Sequence, residues 1–312
     1  MHTSHSLLVS LFAIQTASAH GVVTMVRGAN GVNMPGLSVA DGTPRDCSSN
    51  RCGSQADTAI IRDREISSGE VGPLGRTQGN GPIDAATMIA NFMGGAPAPT
   101  NNGANSSVGV EDNLGGAGAA TGRGNRAQQR RKTRMISARQ FLDRILGGLG
   151  GALGGGGGTE SAEPTETNVA ATAGAGASSG LPTCGDDGSV EMVFHQINQD
   201  GAGPLEASID PTSGGTEASA FQTAEVTQDV PGFGVQGISL ATAQDFPLTV
   251  QMPAGMTCEG TVAGVDNVCV VRVRNGAAAG PFGGSAAFTQ SPAARRRALE
   301  YRKKRRSLGF KA

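Results

Sequence analysis

A long segment without core-forming residues divides this chain and limits what it can fold into. Residues 100–182 consist mainly of Gly, Ala, Ser and Thr, and the 312-residue chain contains 49 glycines and no tryptophan. Such small side chains bury too little apolar surface to offset the entropy lost on folding. We therefore expect a disordered insert at 100–182. A single globular core would then be built from residues 20–99 together with residues 183–290.

The two blocks beside the insert have the pattern of short strands joined by tight turns. Residues 189–197 alternate between apolar and polar side chains, and residues 246–252 and 268–273 are short and β-branched. We predict a mainly β protein, an antiparallel β-sandwich of the immunoglobulin or fibronectin type with long loops. One helix is expected at 83–93, where the apolar residues have helical spacing. Asp84 lies at its start, where a carboxylate can bind the first N–H groups of a helix, which have no partner within the helix.

Two further segments are basic. Residues 127–149, inside the insert, have a partly amphipathic pattern, which indicates either a helix that contacts a membrane or a partner, or a segment that folds only transiently. Nine basic residues and one acid lie between Arg295 and Lys311. We expect residues 291–312 to be a disordered tail, either solvated or with some affinity for anionic polymers.

The first 19 residues have the organisation of a secretory signal peptide. An apolar stretch at 7–14 precedes Ala17-Ser18-Ala19, which supplies the small residues that signal peptidase requires. That stretch is too short to span a bilayer, so we expect no transmembrane segment and an extracellular protein, secreted or at the cell surface. A secretory route also conflicts with a nuclear role for the basic tail, and no nucleic-acid partner is expected. The mature chain would begin at His20.

Cleavage after Ala19 would leave two histidines, His20 and His195. An N-terminal histidine offers its amine and one ring nitrogen, and a second histidine completes the three-nitrogen ligand set of a copper histidine brace. Imidazole and amine nitrogens suit copper, which leads the divalent affinity order at such sites. We predict one copper ion held by these two residues. The competing interpretation is an inert N-terminal residue and a half-buried strand histidine.

Four other residues are candidates for the surroundings of such a site. The only tyrosine lies in the basic tail, so a phenylalanine, Phe282 or Phe288, would have to fill the axial position beside copper. Each of these could equally be a core residue. Gln196 and Gln290 are candidates to hydrogen-bond oxygen at the metal. The glycine-rich segments at 28–31 and 79–81 lack the residues of a phosphate-binding loop, and we reject that interpretation.

The chain has five cysteines, which a secretory route would favour as disulfides. Cys47 and Cys52 are close enough to close a small loop, and Cys258 and Cys269 could close another, which would leave Cys184 unpaired. Other pairings are equally allowed by the sequence. A zinc site is disfavoured, because no C-x-x-C pair occurs and histidines are scarce.

Four segments together resemble a known family. These are HGVV…RGANG at 20–31, RDC…C with GRTQGNGP at 45–82, HQINQDGAGPL at 195–205 and AGPFGG at 279–284. They resemble the fungal Egh-type cell-surface proteins, the Gas-type appressorial family that is linked to host penetration. The N-terminal histidine layout is similar to that of lytic polysaccharide monooxygenases, copper enzymes that cleave chitin or cellulose oxidatively. The family pattern has cysteines where this chain has Ala207, Val273 and Ser285.

The resemblance implies a secreted fungal cell-surface protein that is associated with host penetration and virulence. With copper bound, such a protein would be a candidate enzyme that oxidises cell-wall polysaccharide such as chitin or glucan. The alternative is a non-enzymatic surface or effector protein, or a copper-binding protein without polysaccharide oxidation. The lack of tryptophan weighs against a flat crystalline substrate, because aromatic faces stack on sugar rings.

Overall fold

The computed structural model describes residues 20–101, 158–199, 201–232, 237–277 and 279–309. The predicted signal peptide and the amphipathic segment at 127–149 lie outside these ranges.

Antiparallel strand pairing dominates the described residues and confirms the prediction of a mainly β fold. The strand order is β2-β1-β7-β10-β9-β8-β12-β13-β3-β4-β5, with β6 added to β10 and β11 added to β12. The strands are β1 (Gly21–Arg27), β2 (Asn33–Pro35), β3 (Ala59–Ile60), β4 (Arg76–Thr77), β5 (Gly81–Pro82), β6 (Thr159–Glu160), β7 (Ser189–Gln196), β8 (Glu206–Asp210), β9 (Gln222–Gln228), β10 (Gln244–Gln251), β11 (Gly260–Val262), β12 (Val265–Arg274) and β13 (Phe282–Thr289).

The sheet is curled into two halves, and strand β9 belongs to both of them. The first part of β9 pairs with β8, through residues 222–224, and its later part pairs with β10, through Glu225, Val226 and Gln228. The halves then meet where β1 packs on β13. A side chain at Gly284 would collide with the backbone nitrogen of Val23, so glycine permits this close approach. The result is a sandwich-like arrangement made from one continuous curled sheet.

Strand β7 lies at the centre of the first half, between β1 and β10. Its polar–apolar alternation holds at Glu191, which is exposed, but every residue from Met192 to Gln196 is buried. Both faces of this central strand are covered by other parts of the protein, so burial extends to the face that also carries Glu191. The buried second face is where His195 lies.

The predicted helix at 83–93 is present and begins as expected. The Asp84 side chain accepts a hydrogen bond from the Ala86 N–H, and Met88, Ile89 and Phe92 are buried on the inner side. The helices are α1 (Asp63–Ser67), α2 (Ala85–Phe92), α3 (Asn168–Ala171), α4 (Gly176–Ser179) and α5 (Pro292–Gly309).

The end of the expected disordered insert is part of the folded body. Residues 158–182 contain β6, α3 and α4, and Val169 and Leu181 are buried in the core. Glu166 pairs with Arg45, which also pairs with Asp57, and all three side chains are buried. Although burial disfavours the charge, the two carboxylates raise the pKa of Arg45 above its usual value. A few anchoring residues thus order a segment whose overall composition predicts disorder.

The basic tail also differs from the expectation, because residues 292–309 form the helix α5. Ala294 and Ala298, one turn apart, are buried against the body. Arg295 and Arg297 donate hydrogen bonds to the carbonyl oxygens of Cys258 and Asp186, at 3.0 and 2.7 Å. These contacts on one side of the helix offset the cost of ordering a strongly charged segment.

The cysteines pair in the way that their spacing suggested. Cys47 is bonded to Cys52 and Cys258 to Cys269, and Cys184 is a buried free thiol. Burial raises the pKa of the Cys184 thiol, which keeps it protonated and unreactive. Among the described helices, none has both the length and the apolar character needed to cross a bilayer.

Candidate functional site

His20 and His195 lie on the same face of neighbouring strands. Val22 of β1 is directly opposite His195 of β7, and the His20 carbonyl accepts a hydrogen bond from the Ile197 N–H at 3.0 Å. Paired residues share a face and side chains alternate along each strand, so the two histidines are diagonal neighbours. The Cα atoms of such neighbours lie about 7–8 Å apart, which is within reach of two imidazole rings.

The ring of His195 is held through its Nδ1 atom. Asp245 of β10 lies opposite His195, and its Oδ1 atom is 2.7 Å from Nδ1. Because a carboxylate can only accept, Nδ1 carries the hydrogen. Ser161 follows β6 and lies against the same pair, with its Oγ 3.1 Å from Nδ1 and donating to Asp245 at 2.9 Å. In the neutral ring the lone pair is therefore on Nε2, which is buried and has no hydrogen-bond partner among the described residues.

The backbone nitrogen of His20 is held as well. It donates to Oδ1 of Asn198 at 2.7 Å, and the His20 side chain is buried in the full-length chain. The His20 ring lies against Phe282, with 4.2 Å between ring centroids and 35° between planes. A side chain at Gly201 would collide with the His20 carbonyl, so the loop after β7 can close over this residue only with glycine there.

Of the four flanking candidates, the structure brings only Phe282 to the histidines. Phe288 lies six residues further along β13, about 20 Å away at strand spacing, and belongs to the main core. Gln290 lies beyond it, where it accepts from the Cys258 N–H at 3.0 Å and donates to the Met256 carbonyl at 2.9 Å. Neither residue is near the site, because strand length separates them from Phe282.

Gln196 is next to His195 in sequence but points to the opposite face of β7. Its side-chain nitrogen lies within hydrogen-bond distance of Ser239 Oγ, at 2.6 Å, and of the Ala241 carbonyl, at 2.7 Å. It therefore holds the loop before β10 in place and does not face the histidines. The sequence-based assignment of Gln196 to the site is thus not supported by its geometry.

Three residues of the site were missed by sequence reasoning: Asn198, Asp245 and Ser161. Asn198 lies three residues after the candidate His195, and this proximity in sequence was the only feature that could have pointed to it. Asp245 is adjacent to His195 through strand register, and register is a long-range property that the local pattern does not contain. Ser161 lies in a segment that composition assigned to the disordered insert.

The side chains alone do not make a complete metal site. Within the described residues, no group of three or more histidine, cysteine or carboxylate side chains could hold a metal ion. A metal at His20 and His195 would therefore depend on the main-chain nitrogen of His20 as its third donor. That nitrogen is an amide in the full-length chain and would become an amine only if the chain began at His20.

Comparison with known proteins identifies the family of the chain. Residues 18–283 match the model of the Egh16-like virulence factor family. The chain is 51% identical over 302 residues to the appressoria-specific virulence factor GAS2 of Pyricularia oryzae, which covers 96% of this chain and 93% of that protein. It is 40% identical over 157 residues to the appressoria-specific virulence factor GAS1 of the same fungus, covering 49% of this chain and 59% of that protein. No solved structure matches. The chain belongs to the Egh16-like virulence factor family.

Proposed function

We propose that the mature protein is secreted, begins at His20 and binds one copper ion through the His20 amine, the His20 ring and Nε2 of His195. The observation that carries this proposal is the environment of His195. Its Nδ1 is fixed by Asp245, and its buried Nε2 has no partner among the described residues, on the face that it shares with His20.

The surrounding residues fit this ligand set. Metal-binding histidines usually donate their second ring N–H to a carboxylate, which fixes the tautomer and makes the ligand more basic. Asp245 supplies that carboxylate, and Ser161 holds it in place. Asn198 would accept one hydrogen of the mature amine and orient its lone pair. When bound, copper would supply one-electron redox chemistry, and Phe282 would exclude water from one side of His20.

The biological setting of the proposal comes from the relatives. GAS2 and GAS1 are named appressoria-specific virulence factors, and we propose for this chain a role at the fungal surface during host penetration. Oxidation of cell-wall polysaccharide, chitin or glucan, is the enzymatic form of the proposal. Copper binding without turnover is the alternative. Among the described residues, the exposed large hydrophobic side chains are Ile238, Leu299 and Tyr301. Tyr301 on α5 is the only aromatic residue of the three, so no set of exposed aromatic faces in the described part of the chain supports stacking on a flat polysaccharide surface.

The test begins with the N-terminus. The protein is produced in a secretory host, its N-terminal residue is identified by mass spectrometry, and Cu(II) is titrated while electron paramagnetic resonance spectra are recorded. We expect one tight site with a nitrogen-rich signal. His195→Ala should abolish it, and one added alanine before His20 should weaken it strongly, because the amine is then displaced. A mature N-terminus other than His20, or binding that survives His195→Ala, would refute the proposal.

A second assay separates the two forms of the proposal. The copper-loaded protein is incubated with chitin or β-glucan and hydrogen peroxide, and soluble products are analysed for oxidised sugars. His195→Ala serves as the matched control for free copper. Oxidised oligosaccharides that need His195 support the enzymatic form. If no oxidised oligosaccharides form although copper still binds, the result supports copper binding without turnover.

A further inference from the structure

The C-terminal half of α5 forms one wall of a groove that contains neither His20 nor His195. The groove has a volume of about 490 Å³. Tyr301, Arg302, Arg305 and Arg306 line it from the helix, and the loop at 254–256 lines it from the body. We call it the arginine groove.

The groove is positively charged and has no carboxylate in its lining. Arg302 donates to the Gly255 carbonyl at 2.6 Å and lies 3.5 Å from Glu259 at its edge. Arg305 and Arg306 are exposed and have no ion-pair partner among the described residues. Residues three and four positions apart share a side of a helix, so the three guanidinium groups face the same space.

The charge of α5 contrasts with that of the rest of the chain. Outside the segment from Arg295 to Lys311, the sequence carries 16 basic and 25 acidic residues. An anion is therefore attracted to this helix and not to the protein as a whole. Guanidinium groups bind carboxylates through paired, parallel hydrogen bonds, which gives such a groove a preference for planar anions.

Tyr301 adds an exposed aromatic ring to the arginine groove. Tyr301 is the only tyrosine of the chain and its side chain is 42% exposed. It also lines a second cavity of about 550 Å³, but that cavity contains Asp186, Asp187 and Glu225, so a polyanion is expected to follow the arginine groove and not the second cavity. Beside the guanidinium groups, the exposed aromatic ring can stack on the apolar face of a sugar.

An anionic lipid surface fits this helix less well. Helices that lie on membranes insert a continuous apolar face, and in α5 the face formed by Ala294 and Ala298 is already buried against the protein. Leu299 and Tyr301 are the large apolar side chains that remain exposed on the described part of α5.

We propose that the arginine groove binds a carboxylated polysaccharide, a polymer of uronic acid residues. Arg305 and Arg306 bind the carboxylates, and Tyr301 stacks on a neighbouring sugar ring. The site is independent of the two histidines, and it would attach the protein to an acidic polymer of a cell wall or extracellular matrix.

The proposal is tested with polygalacturonate as the probe and the full mature protein. Binding is measured by isothermal titration calorimetry, and the methyl-esterified polymer, which has the same backbone without charge, is the control ligand. Arg305→Gln/Arg306→Gln should weaken binding about tenfold, since two charged hydrogen-bond donors are lost. Lys303→Gln/Lys304→Gln removes the same charge from the same helix outside the groove lining and should change binding less than about twofold.

A second pair of variants tests stacking. Tyr301→Ala should weaken binding, while Leu299→Ala, which alters an equally exposed apolar residue of the same helix, should not. Circular dichroism and thermal unfolding check that each variant is folded. Equal weakening by the arginine and lysine pairs would show unspecific charge attraction and overturn the proposal. So would equal binding of the methyl ester, or tighter binding to phosphatidylserine vesicles than to polygalacturonate.

Discussion

The buried cluster of Arg45, Asp57 and Glu166 gives the sharpest prediction about stability. Arg45 makes four hydrogen bonds to the two carboxylates, between 2.6 and 3.1 Å, and all three side chains are at most 3% exposed. Replacing Arg45 with methionine keeps much of the volume but leaves two carboxylates buried without a counter-charge. Removing one partner of a buried ion pair typically costs about 3–5 kcal/mol.

A milder change provides the comparison. Glu166→Gln leaves Arg45 paired with Asp57. Glu166 accepts from Arg45 through Oε2 and from Asn168 through Oε1, whereas glutamine has one acceptor oxygen and would turn its NH₂ group toward one of these donors. We expect a loss of about 1–3 kcal/mol, the cost of one unsatisfied buried hydrogen bond. Both free energies of unfolding are measured by urea denaturation monitored by circular dichroism. The expected order is wild type, then Glu166→Gln, then Arg45→Met.

The two variants also test whether this cluster anchors residues 158–182. In Arg45→Met, limited proteolysis should cut this segment under conditions in which the wild type is intact, because Glu166 then lacks its partner on the body. A loss of stability below about 1 kcal/mol in Arg45→Met would refute the reasoning, since it would mean that the two carboxylates find other partners or water.

Three further outcomes are expected. Asp245→Asn should weaken Cu(II) binding about 10–100-fold in competition with a chelator, because His195 loses the carboxylate that orients it; unchanged affinity would contradict that role. Cys184 should resist thiol reagents in the folded protein and react once per chain after unfolding in urea, since burial raises its pKa. Burial alone would raise the pKa of Asp210, but hydrogen bonds from Ser213, Thr212 and Gly215 lower it below its usual value. Asp210 should therefore stabilise the fold above about pH 4, with the contribution lost as pH falls through its lowered value. Asp210→Asn should unfold more easily at neutral pH and lose less stability between about pH 5 and pH 3 than the wild type, in urea titrations at each pH.

The sequence predicts those parts of the fold that depend on neighbouring residues. Alternation located β7, the apolar spacing located α2, and Asp84 marked the start of that helix because its carboxylate binds an N–H two residues away. The close spacing of the cysteines likewise offered both observed disulfides, although it left other pairings open. Each of these features is decided within about a dozen residues of chain.

The rest depends on register and on a few anchoring contacts. Asp245 reaches His195 only because β10 pairs with β7 in one particular register, and Gln290 misses the site because β13 is eight residues long. Composition averages over a segment, so it could not reveal that Glu166 orders the end of the insert or that Ala294 and Ala298 fix α5 to the body. These errors share one cause, since single long-range contacts outweigh the average character of a segment.

The pairing of β1 fixes when the histidine cluster can assemble. Besides the short adjacent strand β2, the neighbours of β1 are β7 and β13, whose residues are made long after those of β1. Contacts this distant in sequence form slowly, because the long loop between them must close first. The packing around His20 is therefore completed only after Phe282 and the rest of β13 have been made. A chain shortened before β13 would keep β7 as the partner of β1, but it would lose the strand that packs on β1 and the Phe282 ring that lies against His20.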